Sequence, residues 1–219
     1  MTILITGATG LIGAEVVRQA INNKDIEEII VLVRNKPETE HPKVTVLLHK
    51  DFCNYSGLET YFQKADALLW CLGISQTQVS KKQYEAITYD YVVACAKFCL
   101  QVNPLLKFVF VSGNGADRTE KSRTIFRRVK GKAENALLAS GLKDLFIARP
   151  DAVRPRHKNK RAPFLYKLAY PFFPLVERWA PHKIIWSDVL AMALLNLAKT
   201  GYEKDTLENA GLRALGKIE

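Results

Sequence analysis

The sequence predicts an α/β chain built on a doubly wound parallel sheet, with a smaller C-terminal lobe. Short, continuously apolar runs alternate with amphipathic stretches over the first 150 residues. Runs of that kind suit strands buried on both faces and joined by βαβ crossovers. The first run, Ile3–Thr6, leads straight into a turn spaced by Gly7, Gly10 and Gly13. After Pro150 the pattern changes to a basic stretch and then to an aromatic one punctuated by prolines. Together these observations predict a Rossmann-like domain over residues 1–150 and a lobe over residues 151–219 packed on it.

Ile3–Thr6 is the first predicted strand, and Leu11–Asn22 is the helix after the glycine turn. Gly7 allows the tight exit from the strand, Gly10 lets the backbone approach a pyrophosphate, and Gly13 lets the helix pack closely on the sheet. An anion at that helix N-terminus meets unpaired N–H groups and the positive end of the dipole. Gly7, Thr9, Gly10, Leu11, Ile12 and Gly13 are therefore the candidate phosphate-binding residues. Strands are predicted at Glu28–Arg34, Val44–His49, Ala67–Leu72, Phe108–Ser112 and Leu145–Ala148. They alternate with helices at Leu58–Gln63, Lys81–Gln101 and Arg123–Ala139. Beyond Pro150, Asp151–Arg161 is polar and basic, Pro163–Pro181 is aromatic, and Ser187 is the expected N-cap of a helix through Lys199.

With 219 residues and 48% hydrophobic content, the chain can bury one sizeable core. Its longest apolar runs, Val92–Leu100 and Val189–Leu197, fall short of the roughly 18 residues a membrane span needs. No secretory n-region precedes the first strand, and a cytoplasmic location is expected. Cys53, Cys71, Cys95 and Cys99 form no CxxC, and the four histidines are scattered. No metal site is expected, and the thiols read as small buried side chains. The net charge of +10 points toward anionic partners without choosing among them.

In dinucleotide-binding folds of this kind, an acidic residue after the second strand takes the ribose 2′-hydroxyl, whereas an arginine there accommodates a 2′-phosphate. This chain has Val33-Arg34-Asn35-Lys36 at that point. Arg34 can fork onto phosphate, so NADP is expected in preference to NAD. Asp51 and Phe52 follow the third strand, where the adenine edge is expected. Cys71, Leu72 and Gly73 end the fourth strand, beside the cofactor.

These residues resemble an atypical short-chain dehydrogenase/reductase, and within that superfamily the Tat-interacting-protein-like oxidoreductases. The matching segments are Thr6–Gly13, Asp51-Phe52, Cys71–Gly73, Tyr89–Tyr91, Ser112–Asp117, Lys130–Glu134, Arg149-Pro150 and Leu207–Ala210, in the expected order along nearly the whole chain. The resemblance implies an NADP-binding Rossmann core with the C-terminal lobe over the nicotinamide end. It adds Pro150 to the candidate cofactor contacts.

The resemblance also implies a catalytic Ser, Tyr and Lys, with Tyr four residues before Lys. Counting back from Lys130 reaches Phe126, which has no group that can ionise or hydrogen-bond. The family's double serine is Ser112-Gly113 here, so the catalytic serine corresponds either to Ser112 or to Gly113. Lys130 would still hold the nicotinamide ribose. Asp151 replaces the glycine expected after Arg149-Pro150. Three functions remain open at this point. The chain is a cofactor-dependent sensor or interaction module with an unknown small-molecule or protein partner, or a carbonyl reductase with a non-standard proton donor. The third is a peripheral membrane or RNA-binding protein using Arg154–Arg161 beside the aromatic Phe164–Phe173 segment. Substrate, partner and oligomeric state are not legible from these residues.

Overall fold

The computed structural model describes residues 1–37, 40–157 and 178–217. Seven parallel strands form the main sheet: β1 (Thr2–Thr6), β2 (Glu28–Val33), β3 (Val44–Leu48), β4 (Ala67–Trp70), β5 (Lys107–Val111), β6 (Leu145–Arg149) and β9 (Thr206–Glu208), in the order β3-β2-β1-β4-β5-β6-β9. Two more strands, β7 (Ala152–Arg154) and β8 (Ile184–Trp186), pair in parallel as a small separate sheet. The helices are α1 (Leu11–Asn22), α2 (Glu59–Lys64), α3 (Lys81–Glu85), α4 (Tyr91–Val102), α5 (Ile125–Leu138), α6 (Ser187–Thr200) and α7 (Asn209–Leu215).

Alternation along each strand divides the core into two layers. Ile3 and Ile5 join Val16, Val17 and Ala20 of α1 and Leu190, Leu194 and Leu197 of α6 on one face. Leu4, Leu68 and Trp70 join Phe62 of α2, Val92 and Cys95 of α4, and Ala133 and Leu137 of α5 on the other. Between β1 and its two neighbours the strand order reverses, which opens a crevice at the C-terminal ends of β1 and β4. The glycine turn lies at that crevice.

Several boundaries differ from the sequence expectation. The stretch Lys81–Gln101 is not one helix: α3, capped by Ser80 and Gln83 in a reciprocal capping box, passes through a π turn at Ala86–Asp90 into α4. Ser187 is not the N-cap of α6. Trp186 has the extended cap conformation, and the Ser187 hydroxyl instead accepts the Arg156 N–H at 2.9 Å. The chain after Pro150 is shared between sheets: α6 covers α1 and β9 extends the main sheet, while β7 and β8 stand apart. Cys95 and Cys99 are buried as expected, but Cys53 is exposed. Residues 158–177, which include much of the basic run and the Phe164–Phe173 stretch, lie outside the described residues. Among the described residues no helix is long and apolar enough to cross a membrane, and no cluster of His, Cys, Asp and Glu could hold a metal ion.

Candidate functional site

The glycine turn divides its work between backbone and ligand. Gly7 has φ +67°, and a Cβ there would meet the Cys71 carbonyl at 2.6 Å. A Cβ on Gly13 would lie 2.3 Å from the Gly7 carbonyl oxygen. Both glycines are therefore required by the fold itself. Gly10 differs: its only close neighbour would be the Gly7 oxygen at 3.2 Å, and it is exposed. No side chain caps the α1 N-terminus, and its first turn carries no acid. The cradle thus has room and free polarity for an anion where Gly10 faces out. A Gly10→Val variant should stay folded yet lose the rise in melting temperature that a dinucleotide gives the wild type, whereas Gly13→Val should compromise folding without any ligand. Melting curves with and without NADP check both expectations.

Beside this turn lies a cleft lined by Gly7, Thr9, Leu32, Val33, Arg34, Asn35, Phe52 and Leu72. It brings together candidates from four separate predicted segments, and these residues fit a dinucleotide's adenosine half. Arg34 is exposed at its rim. Phe52 is buried, stacked on Tyr91 at 5.8 Å and edge-on to Trp70 at 6.3 Å, so it forms the floor. Asp51 accepts the Cys53 N–H at 2.9 Å and shapes the turn after β3. Leu72 donates its N–H to the Thr6 hydroxyl at 3.3 Å, holding the end of β4 beside β1. A Cβ on Gly73 would meet nothing within 4 Å, which leaves open space beside the backbone there. Burial pushes the Cys71 thiol up to about 12, so it is not a reactive thiolate. Leu11 and Ile12 present their side chains to the core.

At the other end of the crevice, one face of α5 meets the C-terminus of β5 at three successive turns. The Phe126 ring lies against Gly113, with Cζ 2.8 Å from where a Cβ would stand. Lys130 donates from Nζ to the Val111 carbonyl at 2.9 Å and lies 4.9 Å from the centre of the Phe110 ring. Glu134 accepts the Ser112 hydroxyl at 2.5 Å. Spacing of four residues puts all three on one side of the helix. Burial lowers the Lys130 ammonium to about 8, partly opposed by the Glu134 carboxylate. Ser112, an expected catalytic residue, has its only hydroxyl proton committed to Glu134. A serine in place of Gly113 would force the Phe126 ring aside, so the alternative placement of the catalytic serine has no free space in this packing.

Sequence reasoning assigned no role to Glu134, although the residue closes the matching segment Lys130–Glu134. It is fully buried and also takes Arg118 Nε at 2.8 Å, Arg149 Nε at 2.9 Å and Arg149 Nη2. Burial alone would raise its pKa, but the Arg149, Ser112 and Arg118 bonds outweigh burial and hold the carboxyl below the usual range. Arg149 continues to Glu208 on β9 at 3.0 Å. Asn209, next in sequence, accepts the Asp151 N–H at 3.1 Å and donates to the His182 carbonyl at 2.7 Å. These bonds seat Pro150 and Asp151 between β6 and α7. The signal that could have found them was present: Arg149-Pro150 and Leu207–Ala210 both belong to the matching segments.

The tyrosines of the Lys81–Gln101 stretch and the basic run lie apart from this cluster. Tyr84 is buried, Tyr91 stacks on Phe52, and Tyr89 lies 4.1 Å beneath the Lys132 ammonium. Of the basic run, Arg154 and Arg156 rest on the Trp186 ring at 4.2 and 5.0 Å, and Arg156 pairs with Asp188 at 3.3 Å.

Comparison with known proteins agrees with this geometry. The NAD(P)H-binding family matches residues 7–163. The protein FMP52, mitochondrial, of Lodderomyces elongisporus is 28% identical over 146 residues, covering 63% of this chain and 60% of its own length. Its counterpart in Emericella nidulans is 24% identical over 207 residues, covering 89% and 85%. Among solved structures, UDP-glucose 4-epimerase of Thermotoga maritima superposes with TM-score 0.71 at 16% identity, covering 99% of this chain and 82% of that one. The dTDP-glucose 4,6-dehydratase of Bacillus anthracis in complex with NAD gives 0.69 at 14% identity, covering 95% and 74%. These likenesses uphold the Rossmann-like α/β fold. They also overturn one expectation. Five relatives are named mitochondrial, so the cytoplasmic location is not supported. A secretory n-region is one targeting signal among several, and its absence does not bear on a mitochondrial one. The family match over residues 7–163, with the glycine cradle at its start, places the chain in the NAD(P)H-binding family.

Proposed function

We propose that this chain binds NADP(H) in preference to NAD(H) and has given up the proton transfer usual for its fold, serving as a cofactor-dependent sensor or interaction module. The observation that carries the reading is the packing of Phe126 on Gly113. An aromatic ring without a hydroxyl fills the space between α5 and the end of β5, four residues from the buried Lys130. Lys130 and the backbone from Cys71 to Gly73 and around Pro150 would hold the nicotinamide ribose, and Asp51 and Phe52 the adenine edge. When bound, the nicotinamide supplies a hydride donor or acceptor. One turn before Lys130, Phe126 offers no phenol to complete a carbonyl reduction. The mitochondrial relatives suggest that setting for this chain as well.

Cofactor choice rests on Arg34 at the rim of the cleft. A charge-assisted contact to the 2′-phosphate contributes roughly 1.5–3 kcal/mol, so NADP should bind about ten- to a hundredfold more tightly than NAD. Calorimetric titration with each nucleotide checks the preference, and Arg34→Ala should reduce it while leaving NAD affinity close to the wild-type value. Equal affinities in the wild type, or an undiminished preference in the variant, would remove the basis for NADP.

A further inference from the structure

We propose that residues 73–79, between β4 and α3, form a strap over the nicotinamide end of the crevice, and that Gln76 latches it shut against α5. The inference rests on the reading above, in which the nicotinamide half of the nucleotide lies by Phe126 and Lys130. The strap leaves β4 at Leu72, which lines the adenosine cleft. Leu72 is pinned there by its N–H bond to the Thr6 hydroxyl at 3.3 Å. The far end is fixed by the capping box of Ser80 and Gln83 on α3. Between these anchors the segment folds on itself. The Gln78 N–H donates to the Ser75 carbonyl at 3.0 Å, and the Ser75 and Thr77 hydroxyls lie 2.9 Å apart. Among the described residues, a single hydrogen bond joins the strap to another element: the Gln76 Oε1 accepts the Phe126 N–H at 3.1 Å. That N–H is one of the unpaired donors in the first turn of α5, where Thr124 gives no side-chain cap and no acid follows. The start of α5 is itself held firmly by the loop before it. Arg127 Nε donates to the Gly115 carbonyl at 3.0 Å, Arg128 Nη1 to the Ser122 carbonyl at 2.8 Å, and the Asp117 N–H to the Arg127 carbonyl at 2.8 Å. The strap is therefore the side that moves. Gln76 is exposed, so water competes for its bond, and a Cβ on Gly73 at the first anchor would meet nothing within 4 Å. A segment fixed at both ends and held by one neutral bond in the middle opens at little cost and lets the nicotinamide half pass.

The test pairs amide exchange by NMR with stopped-flow binding of NADP, both in the full chain. In the ligand-free protein, Gln76→Ala should speed exchange of the Phe126 N–H about two- to tenfold, the range for one neutral hydrogen bond. Exchange at Val129, further along the helix, should stay unchanged. Gln76→Glu keeps an acceptor at the positive end of α5 and should exchange at Phe126 no faster than the wild type. In Gln76→Ala, NADP should enter and leave faster by a similar factor with Kd nearly unchanged, since a gate alters passage and not the bound state. Unchanged exchange in Gln76→Ala, or faster exchange in Gln76→Glu, would overturn the latch. Faster exchange with unaltered NADP rates would overturn the gate. A rise in the dissociation rate alone would do the same, marking Gln76 as a direct contact with the nucleotide. A wild type that binds no dinucleotide would instead overturn the reading beneath, and the exchange rates would then decide the latch alone.

Discussion

Glu134→Ala should cost about 3–5 kcal/mol of stability, the range expected when one partner of a buried charge network is removed. Most small domains have only about 5–15 kcal/mol to lose. The carboxylate is fully buried and joins β5 through Ser112, β6 through Arg149 and the loop before α5 through Arg118. Its removal leaves the Arg149 guanidinium, itself mostly buried, with the exposed Glu208 in place of a buried counter-charge. Urea unfolding at neutral pH measures the loss, and Glu208→Ala supplies the contrast. Glu208 is 56% exposed, so its pair with Arg149 contributes little in water. The folded-state pKa of Glu134 lies below its ordinary value. The stability it adds is therefore present above the unfolded pKa and lost as pH falls through the folded one. The wild type should accordingly lose stability in acid more steeply than Glu134→Ala.

Lys130→Met should have the opposite sign: the ligand-free protein becomes more stable by about 3 kcal/mol at pH 7. An ammonium that titrates at about 8 when folded and near 10.5 when unfolded carries a burial cost of about that size. The unfolded chain keeps its proton up to the higher value while the folded chain releases it at the lower one. Wild-type stability should then rise with pH between about 8 and 10.5, and the variant should lack that rise. The gain comes with weaker NADP binding, because the group removed is the one proposed to hold the ribose. A lysine kept in a buried place at the expense of stability fits a binding role better than a packing role. Thermal melts across pH, with and without NADP, measure both effects. A variant less stable than the wild type at pH 7 would mean that the Val111 carbonyl bond outweighs the burial cost.

Much of the fold was legible because its strands are short and buried on both faces. Runs such as Glu28–Val33 cannot alternate with polar residues and still serve a two-sided core, so they stand out from the helices between them. The glycine turn was legible for the same local reason: strand, turn and helix are adjacent in sequence. The π turn at Ala86–Asp90 was hidden, since Lys81–Gln101 keeps a helical pattern through it. β7, β8 and β9 have three residues each, too few for periodicity to register. Their places depend on partners far away in sequence, such as Arg149 opposite Glu208. At the site, Arg34, Phe52 and Lys130 could be named because each follows a strand or a motif. That Ser112 is tied to Glu134 could not be read, because nothing in the spacing of Ser112 and Glu134 tells which way a hydroxyl points. The occupation of the Gly113 side by Phe126 was hidden for a similar reason.

The proposed function has this chain hold NADP(H) without a proton donor for carbonyl reduction. Its most direct test is NADPH oxidation by the wild type and by Phe126→Tyr, side by side, over a panel of aldehydes, ketones and quinones at saturating cofactor. General acid catalysis typically contributes roughly 10²–10⁴-fold, and Lys130, one turn away, would lower the phenol's pKa. The wild type should show negligible turnover, and Phe126→Tyr should gain turnover on at least one carbonyl substrate. Robust wild-type turnover, unchanged by Phe126→Tyr, would contradict the claim and show that the proton comes from another group.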